Sequence, residues 1–377
     1  MKVEVKRKDL SNALKKLLKT ADLKGTIPIL SCLLAELENG KLRLTTTNLE
    51  VTGWAEIPAK FQSEKGSFVF PIKRLEKIVS KAKGNSVVFE VRKGEEEREI
   101  IVDTGKTSFS FNEPHPVEEF PEISREFKPL LEMDTDTFLN ISKKLLPFTS
   151  DDEAREILNS LYIEAKKDAL HFIASNGHYL AWYRVDWEEP PDEEFQILIR
   201  RKVISLFKNF LSNSQSVEIG TFSDDAVGVR AGNYYLTWKT IEGTYPDWRA
   251  VVPEDNPNKV TFCRKTLLES IDEVSVLFEK DSFPCGKLEI LKKELTLSAK
   301  ELVDGKYQKA ISKIEIDSNV SGEPATIGFN LNHLSTTLKT FSKETIKMLF
   351  NTSAISPVLF ECSQEPELKV VVMPVKL

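Results

Sequence analysis

The chain has 377 residues, 41% hydrophobic and 29% charged, and its 58 acidic against 52 basic residues give a net charge of -6. That length is more than one hydrophobic core normally serves, so two or three domains are expected. No apolar run reaches the length of a membrane span, and the charged opening MKVEVKRKDL lacks the apolar stretch of a secretory signal. Four scattered cysteines (Cys32, Cys263, Cys285, Cys362) form no C-x-x-C pair and read as reduced thiols of a cytoplasmic protein.

The first predicted element is an amphipathic helix in KRKDLSNALKKLLKTAD, with Leu10, Leu14, Leu17 and Ala21 on one face. The alternating strand KLRLTTTNLE (41–50) follows. A second helix in PIKRLEKIVSKA aligns Leu75, Ile78, Val79 and Ala82, and GKTSFSFN (105–112) and EEFPEI (118–123) close the segment. The same order then starts again. TDTFLNISKKLLPF aligns Phe138, Ile141 and Leu145, and ALHFIASNGH (169–178) reads as a strand. IRRKVISLFKNFL aligns Val203, Leu206, Phe207 and Phe210, and GNYYLTWK and GTYPDW close the second copy. A third copy runs through CRKTLLESIDEVSVLF (Leu267, Ile271, Val274, Phe278), ELTLSAKELV (294–303) and NLNHLSTTLKTF (Leu331, Leu334, Leu338, Phe341) to ELKVVVMPVKL. Leu42, Leu170 and Leu295 stand one repeat apart. The expected organisation is three tandem domains at 1–126, 127–253 and 254–377. Each is α+β, with antiparallel strands and two helices covering one sheet face.

Charge is unevenly spread over this pattern. The six helical windows 5–24, 71–83, 133–152, 199–212, 261–281 and 330–347 carry +5, +4, -2, +4, -2 and +2, a total of +11 that leaves -17 for the rest. Lys73, Lys77 and Lys81 form a stripe opposite Leu75 and Val79. Lys15 and Lys19 beside Lys16, and Lys339, Lys343 and Lys347, repeat the spacing. A solvated helix face accounts for any one stripe. Recurrence in equivalent helices of an acidic chain fits a surface facing a polyanion, where lysines neutralise phosphates without reading bases.

Catalytic signatures do not assemble. TGKTS (104–108) resembles part of a P-loop, but Ile100 stands where the loop needs its first glycine. Of four histidines, His115 lies in a proline-rich loop, His171 alternates with strand residues and His333 lies on a helix. His178 in ASNGHYLAW follows an Asn-Gly turn that could present it, yet its repeat equivalents are Glu50 and Val303, and proton transfer would need a positioned partner. DTD (134–136) reads as N-capping acids before a helix, not as a metal pair. No catalytic residue, metal or cofactor is expected.

TIPILSCLLAE, ASNGHYLAW, EGTYPDWRAVVP, IGFNLNHL and VVMPVKL, in this order over the whole chain, resemble the bacterial DNA polymerase III beta subunit, the beta sliding clamp family. The resemblance implies a head-to-tail homodimer whose six domains ring sequence-independent duplex DNA, with helices lining the hole and sheets outside. It implies a hydrophobic cleft for short peptide motifs of the replicative polymerase, the clamp loader, and other polymerases and repair proteins, acting at the nucleoid during replication. The cleft residues it implies are Leu158, Ser175, Gly177, His178, Leu180, Pro246, Val251, Phe283, Ser353, Val371, Val372, Met373, Pro374, Val375 and Leu377. The implied DNA contacts are Lys24, Lys73, Lys77, Arg155, Arg201 and Lys202, and the implied subunit interface sets Phe109 and Phe111 against Val276 and Leu277. Two departures stand out: Ala250 where relatives can carry arginine, and Glu156-Ile157 where some carry tyrosines that touch DNA. A scaffold that never encircles DNA, and an enzyme using His178, are the competing readings.

Overall fold

The computed structural model is described for all residues except 62–64, 94–97, 188–189, 224, 280–281, 292–293, 304–305, 316–324, 353–355 and 377. Two expected cleft residues, Ser353 and Leu377, lie outside the described residues.

One element order recurs three times: strand, helix, four strands, helix, three strands. The first copy runs β1 (Lys2–Lys6), α1 (Arg7–Leu17), β2 (Cys32–Glu38), β3 (Lys41–Thr47), β4 (Val51–Phe61), β5 (Gly66–Pro71), α2 (Ile72–Lys81), β6 (Ser86–Lys93), β7 (Arg98–Asp103) and β8 (Ser108–Asn112). The second runs β9 (Lys128–Asp134), α3 (Thr135–Leu145), β10 (Ser160–Ala165), β11 (Leu170–Ser175), β12 (Tyr179–Val185), β13 (Phe195–Arg200), α4 (Arg201–Phe210), β14 (Ser216–Ser223), β15 (Ala226–Ala231) and β16 (Tyr234–Lys239). The third runs β17 (Asn258–Cys263), α5 (Arg264–Ser275), β18 (Cys285–Ile290), β19 (Glu294–Val303), β20 (Lys306–Glu315), β21 (Ala325–Asn330), α6 (Leu331–Thr340), β22 (Thr345–Phe350), β23 (Val358–Cys362) and β24 (Glu365–Val372).

Every helix starts on the residue after a strand, where apolar spacing changes from two to between three and four. Local chemistry fixes some of these junctions. Asp134 Oδ2 accepts the Thr137 N–H and hydroxyl, each at 2.8 Å, as the DTD reading expects. Asn330 Oδ1 accepts the N–H groups of Asn332 and His333 at the start of α6.

All strand pairs are antiparallel, and the sheets run across copy boundaries. The longest path is β8-β7-β6-β1-β4-β16-β15-β14-β9, where β4 of the first copy meets β16 of the second, with β2, β3 and β5 paired beside it. An eight-stranded sheet, β13-β10-β11-β12-β24-β23-β22-β17, joins β12 of the second copy to β24 of the third. A four-stranded sheet, β20-β19-β18-β21, completes the set. The chain accordingly divides into two compact units that share the middle copy: Met1–Leu139 with Lys202–Thr240, and Asn140–Arg201 with Ile241–Leu377.

The predicted helical faces form the cores. In the first unit Leu10, Leu14, Leu17, Leu75 and Val79 are fully buried, and Phe207 stands 5.1 Å from Phe138 and 6.1 Å from Trp238, ring centre to ring centre. In the second, Leu267, Ile271 and Val274 of α5 and Leu331, Leu334 and Leu338 of α6 are buried. Ala21, Ala82, Phe278 and Phe341 lie beyond the helix ends.

Two expectations about charge are corrected. Lys339, Lys343 and Lys347 are not a helical stripe: α6 stops at Thr340, and Lys347 lies on β22, 2.6 Å from Glu361. Burial of Ile346, Met348 and Phe350 at every second position makes that segment a strand. Lys16, read as part of a cationic stripe, is buried at 8% exposure. The charge split nonetheless survives on observed bounds: α1, α2 and α4 carry +3 each, α3 and α6 +1 each and α5 -1, a net +10 in a chain of -6.

Phe207→Ala is expected to lower stability by about 3–5 kcal/mol, because the vacated ring volume lies between two aromatic neighbours. A lowered urea midpoint measures it.

Candidate functional site

The eight-stranded sheet carries an apolar row on one face. Register sets Tyr162 opposite Ile173, Ile173 opposite Trp182, Leu180 opposite Val371 and Val371 opposite Leu359. Because side chains alternate, Val370 and Val372 face the other side, where both are fully buried. The segment after β16 folds back over the row, stacking Tyr245 on Tyr162 at 4.5 Å with planes 4° apart and setting Trp248 4.8 Å from Trp182.

A buried carboxylate holds this overlay. Glu164 Oε2 accepts the Trp248 indole N–H at 3.3 Å and lies 2.8 Å from Arg249 Nη1, while the Tyr162 hydroxyl donates to Oε1 at 3.4 Å. The Arg249 guanidinium covers the Trp248 ring at 4.2 Å. Burial, then the Glu164 charge, pushes the Tyr162 hydroxyl far above its ordinary pKa, so it stays protonated as a donor. His171 is structural, as expected: it is buried on β11 and its Nδ1 accepts the Trp182 indole N–H at 3.0 Å.

Between row and overlay lies a cavity of 230 Å³. Nine expected residues line it: Leu158, Ser175, Gly177, His178, Leu180, Pro246, Val251, Val371 and Met373. Four more that the sequence reading did not select, Tyr179, Tyr245, Asp247 and Trp248, complete the lining. The signal for Tyr245 and Trp248 was the aromatic pair inside TYPDW, a stretch that aligns the repeats and carries the family resemblance but was not read as cleft wall apart from Pro246. The remaining expected residues with described positions stand outside the lining. Val372 is in the core, Phe283 is 63% exposed, and Pro374 and Val375 continue the tail past Met373.

The mouth is a tight turn. Gly177 has φ +92°, a conformation that side chains disfavour, and Asn176 Oδ1 accepts the His178 N–H at 2.9 Å. The C-terminal segment is fastened to this turn and to β21. Met373 N donates to His178 O, and Val375 N donates to Gly328 O, each at 2.9 Å. Those two bonds hold an apolar chain end that would otherwise fray. Behind the mouth His333 stacks on Tyr179 at 4.4 Å and lies 5.8 Å from His178. No arrangement here pairs His178 with a carboxylate or nucleophile among the described residues, and none of them forms a group of three metal-type ligands.

The six expected DNA-contact cations differ in state. Lys24, Lys73 and Lys77 are exposed and form no ion pair among the described residues. Arg155 is exposed and donates to Asn176 O at 3.2 Å, at the cleft mouth. Arg201 donates to Leu146 O and Thr149 Oγ1 and pairs with Asp151 at 3.0 Å, while Lys202 pairs with Glu50. Phe109 and Phe111 sit half-buried on β8 with stacked rings. Val276, at the end of α5, is 85% exposed, and Leu277 beside it is half-buried. No helix among the described residues is long and apolar enough to cross a membrane.

Family models match along the entire chain. Residues 1–124 match the DNA polymerase III beta subunit N-terminal domain, 132–247 the central domain and 249–376 the C-terminal domain. The beta sliding clamp of Caulobacter vibrioides is 26% identical over 386 residues, with both chains fully covered. The crystal structure of the DNA polymerase III beta subunit from Thermotoga maritima is 26% identical with a TM-score of 0.83, covering 100% of this chain and 99% of that one. The sliding clamp structure from Bacillus subtilis, 22% identical, shares the fold with a TM-score of 0.88 at 100% and 99% coverage.

Burial and the nearby His178 hold His333 down to about 4, below the ordinary histidine value. The unfolded chain therefore takes up a proton that the folded one refuses, and stability falls as pH drops from about 6.5 towards 4. His333→Phe keeps a ring against Tyr179 and removes that proton. Its melting temperature should fall less than the parent's over this range, as read by thermal denaturation at a series of pH values.

Proposed function

The chain belongs to the DNA polymerase III beta subunit family, and on that premise we propose that it is a DNA sliding clamp, a non-catalytic processivity factor that encircles duplex DNA. The observation that carries this reading is the ordered match of all three domain models along one chain. The proposed domain limits are 1–126, 127–253 and 254–377. The working form is a head-to-tail homodimer, a ring of six domains.

The sheet edges support that assembly. Copies join through equivalent strands, β4 to β16 and β12 to β24. In the same order β20 is the third copy's counterpart of β4 and β12, and β8 is the first copy's counterpart of β16 and β24. Both end their sheets. Leu302, Tyr307 and Ile311 on the β19–β20 hairpin are 58%, 76% and 54% exposed, and β8 carries Phe109 and Phe111. Unpaired apolar edges invite pairing. Joining β20 to β8 of the partner subunit repeats the internal seam and pairs both of these edges on each chain once two chains meet. Val276 and Leu277 then pack against Phe109 and Phe111 of the partner subunit.

Contact with duplex DNA is electrostatic and independent of sequence. Lys24, Lys73 and Lys77 offer charge directly, Arg155 adds to it, and Arg201 and Lys202 exchange their carboxylates for phosphate. Weak, salt-sensitive contacts of this kind permit sliding. The 230 Å³ cavity takes a short partner segment with a glutamine and bulky apolar residues. Its apolar walls supply affinity, its few polar edges set orientation, and Met373 adapts to partners of different shape. The proposed partners are the replicative polymerase, the clamp loader, and other polymerases and repair proteins, in the cytoplasm at the nucleoid. No cofactor enters this reading.

Removing Val375 to Leu377 takes away the Gly328 anchor and should abolish peptide binding in fluorescence anisotropy while the dimer persists in sedimentation. Retained peptide affinity would refute the cleft assignment. Parent protein, loaded onto nicked circular duplex with its loader and ATP, should be retained on circles and lost once they are cut to linear form. Phe109→Asp with Leu277→Asp should sediment as a monomer and not be retained on circles, because each charge would enter an apolar contact. Equal retention of the parent on circles and linear DNA would replace the ring with a non-topological scaffold.

A further inference from the structure

A second cavity, of 470 Å³, opens in the first compact unit between α1, the end of α4 and the turn joining β15 to β16. Asn12, Lys15, Lys16, Asn209, Asn233 and Tyr234 are in its wall, and no lining residue is acidic. Lys16 is the unusual member. Its Nζ donates to Phe210 O at 2.7 Å and Ser212 O at 3.2 Å and stands 4.0 Å above the Tyr234 ring. These acceptors are dipoles and a ring face, and Lys16 forms no ion pair among the described residues. A buried ammonium without a counter-ion is an expensive arrangement. Burial accordingly brings the Lys16 ammonium down to about 8. Exposed Lys15 adds a second cation, and four asparagines, Asn12, Asn209, Asn213 and Asn233, line the same space with carboxamides able to donate N–H bonds.

We propose that this cavity binds a phosphate-bearing ligand, whose oxyanion supplies the counter-charge that Lys16 lacks and is gripped by Lys15 and the carboxamides of Asn12, Asn209 and Asn233. The volume is that of a site for a small molecule of about nucleotide size. The same phosphate chemistry could be offered by a DNA backbone, so both sources are tested. The inference does not depend on the clamp reading.

The test is titration calorimetry of the full-length protein at low salt with inorganic phosphate, ATP and a short DNA duplex. ATP is expected to bind saturably, once per chain. Asn209→Ala with Asn233→Ala, at exposed positions that spare the fold, should weaken it by about tenfold or more. Because a bound anion raises the Lys16 pKa, binding near pH 8 should take up protons and give enthalpies that vary with the buffer, an effect lost in Lys16→Met. A duplex that displaces ATP, with the same dependence on the asparagines, would identify DNA as the source of the phosphate. No saturable binding of any of the three, undiminished affinity in the double asparagine variant, or binding by the parent without proton uptake would each overturn the proposal.

Discussion

The structure depends on one recurring interaction, an antiparallel strand pair between successive copies of the repeat. Val51–Trp238 and the pairs beside it join the first copy to the second, and Tyr179–Val372 and its neighbours join the second to the third. Each seam is made of backbone hydrogen bonds, so it asks little of side-chain identity and survives sequence divergence between copies. It also carries the polypeptide across repeat boundaries as continuous sheet, which is why the compact units cut through the middle copy.

The division of labour between sheet and helix follows from that constraint. With backbone pairing concentrated in the sheets, the helices are free to hold a charge opposite to that of the chain as a whole. On α1, α2 and α4 an apolar inner face is set against a cationic outer one, most plainly on α2, where Leu75 and Val79 are buried and Lys73 and Lys77 are exposed. Long-range attraction to a polyanion and tight core packing are thereby built from the same ten or eleven residues without compromise.

Much of this was legible in the sequence, because periodicity reports burial directly. The six helices, their apolar faces and the threefold order all follow from the spacing of leucine, isoleucine and phenylalanine. What could not be read was context. Lys343 and Lys347 keep helical spacing from Lys339, but Ile346, Met348 and Phe350 alternate through the same stretch, and the buried alternation decides. Lys16 looks like its neighbours Lys15 and Lys19 until the carbonyls of Phe210 and Ser212, nearly two hundred positions away, come to meet it. Nine lining residues of the cleft were anticipated through family resemblance. Tyr245 and Trp248 were not, because their place depends on partners distant in the chain: Tyr245 stacks on Tyr162, and the Trp248 indole N–H reaches Glu164.

The cleft floor spans a seam: Leu180 comes from one copy and Val371 from the next, matched residue to residue. The apolar surface presented there is therefore a property of alignment more than of composition. A slip of β24 by one place would turn Val371 inward and bring Val370 and Val372 out, leaving an equally oily face with different contours. On the proposed function, recognition at this surface is tied to the integrity of the joint beneath it, and a partner seated across both strands senses, and reinforces, the correct joining of two repeats.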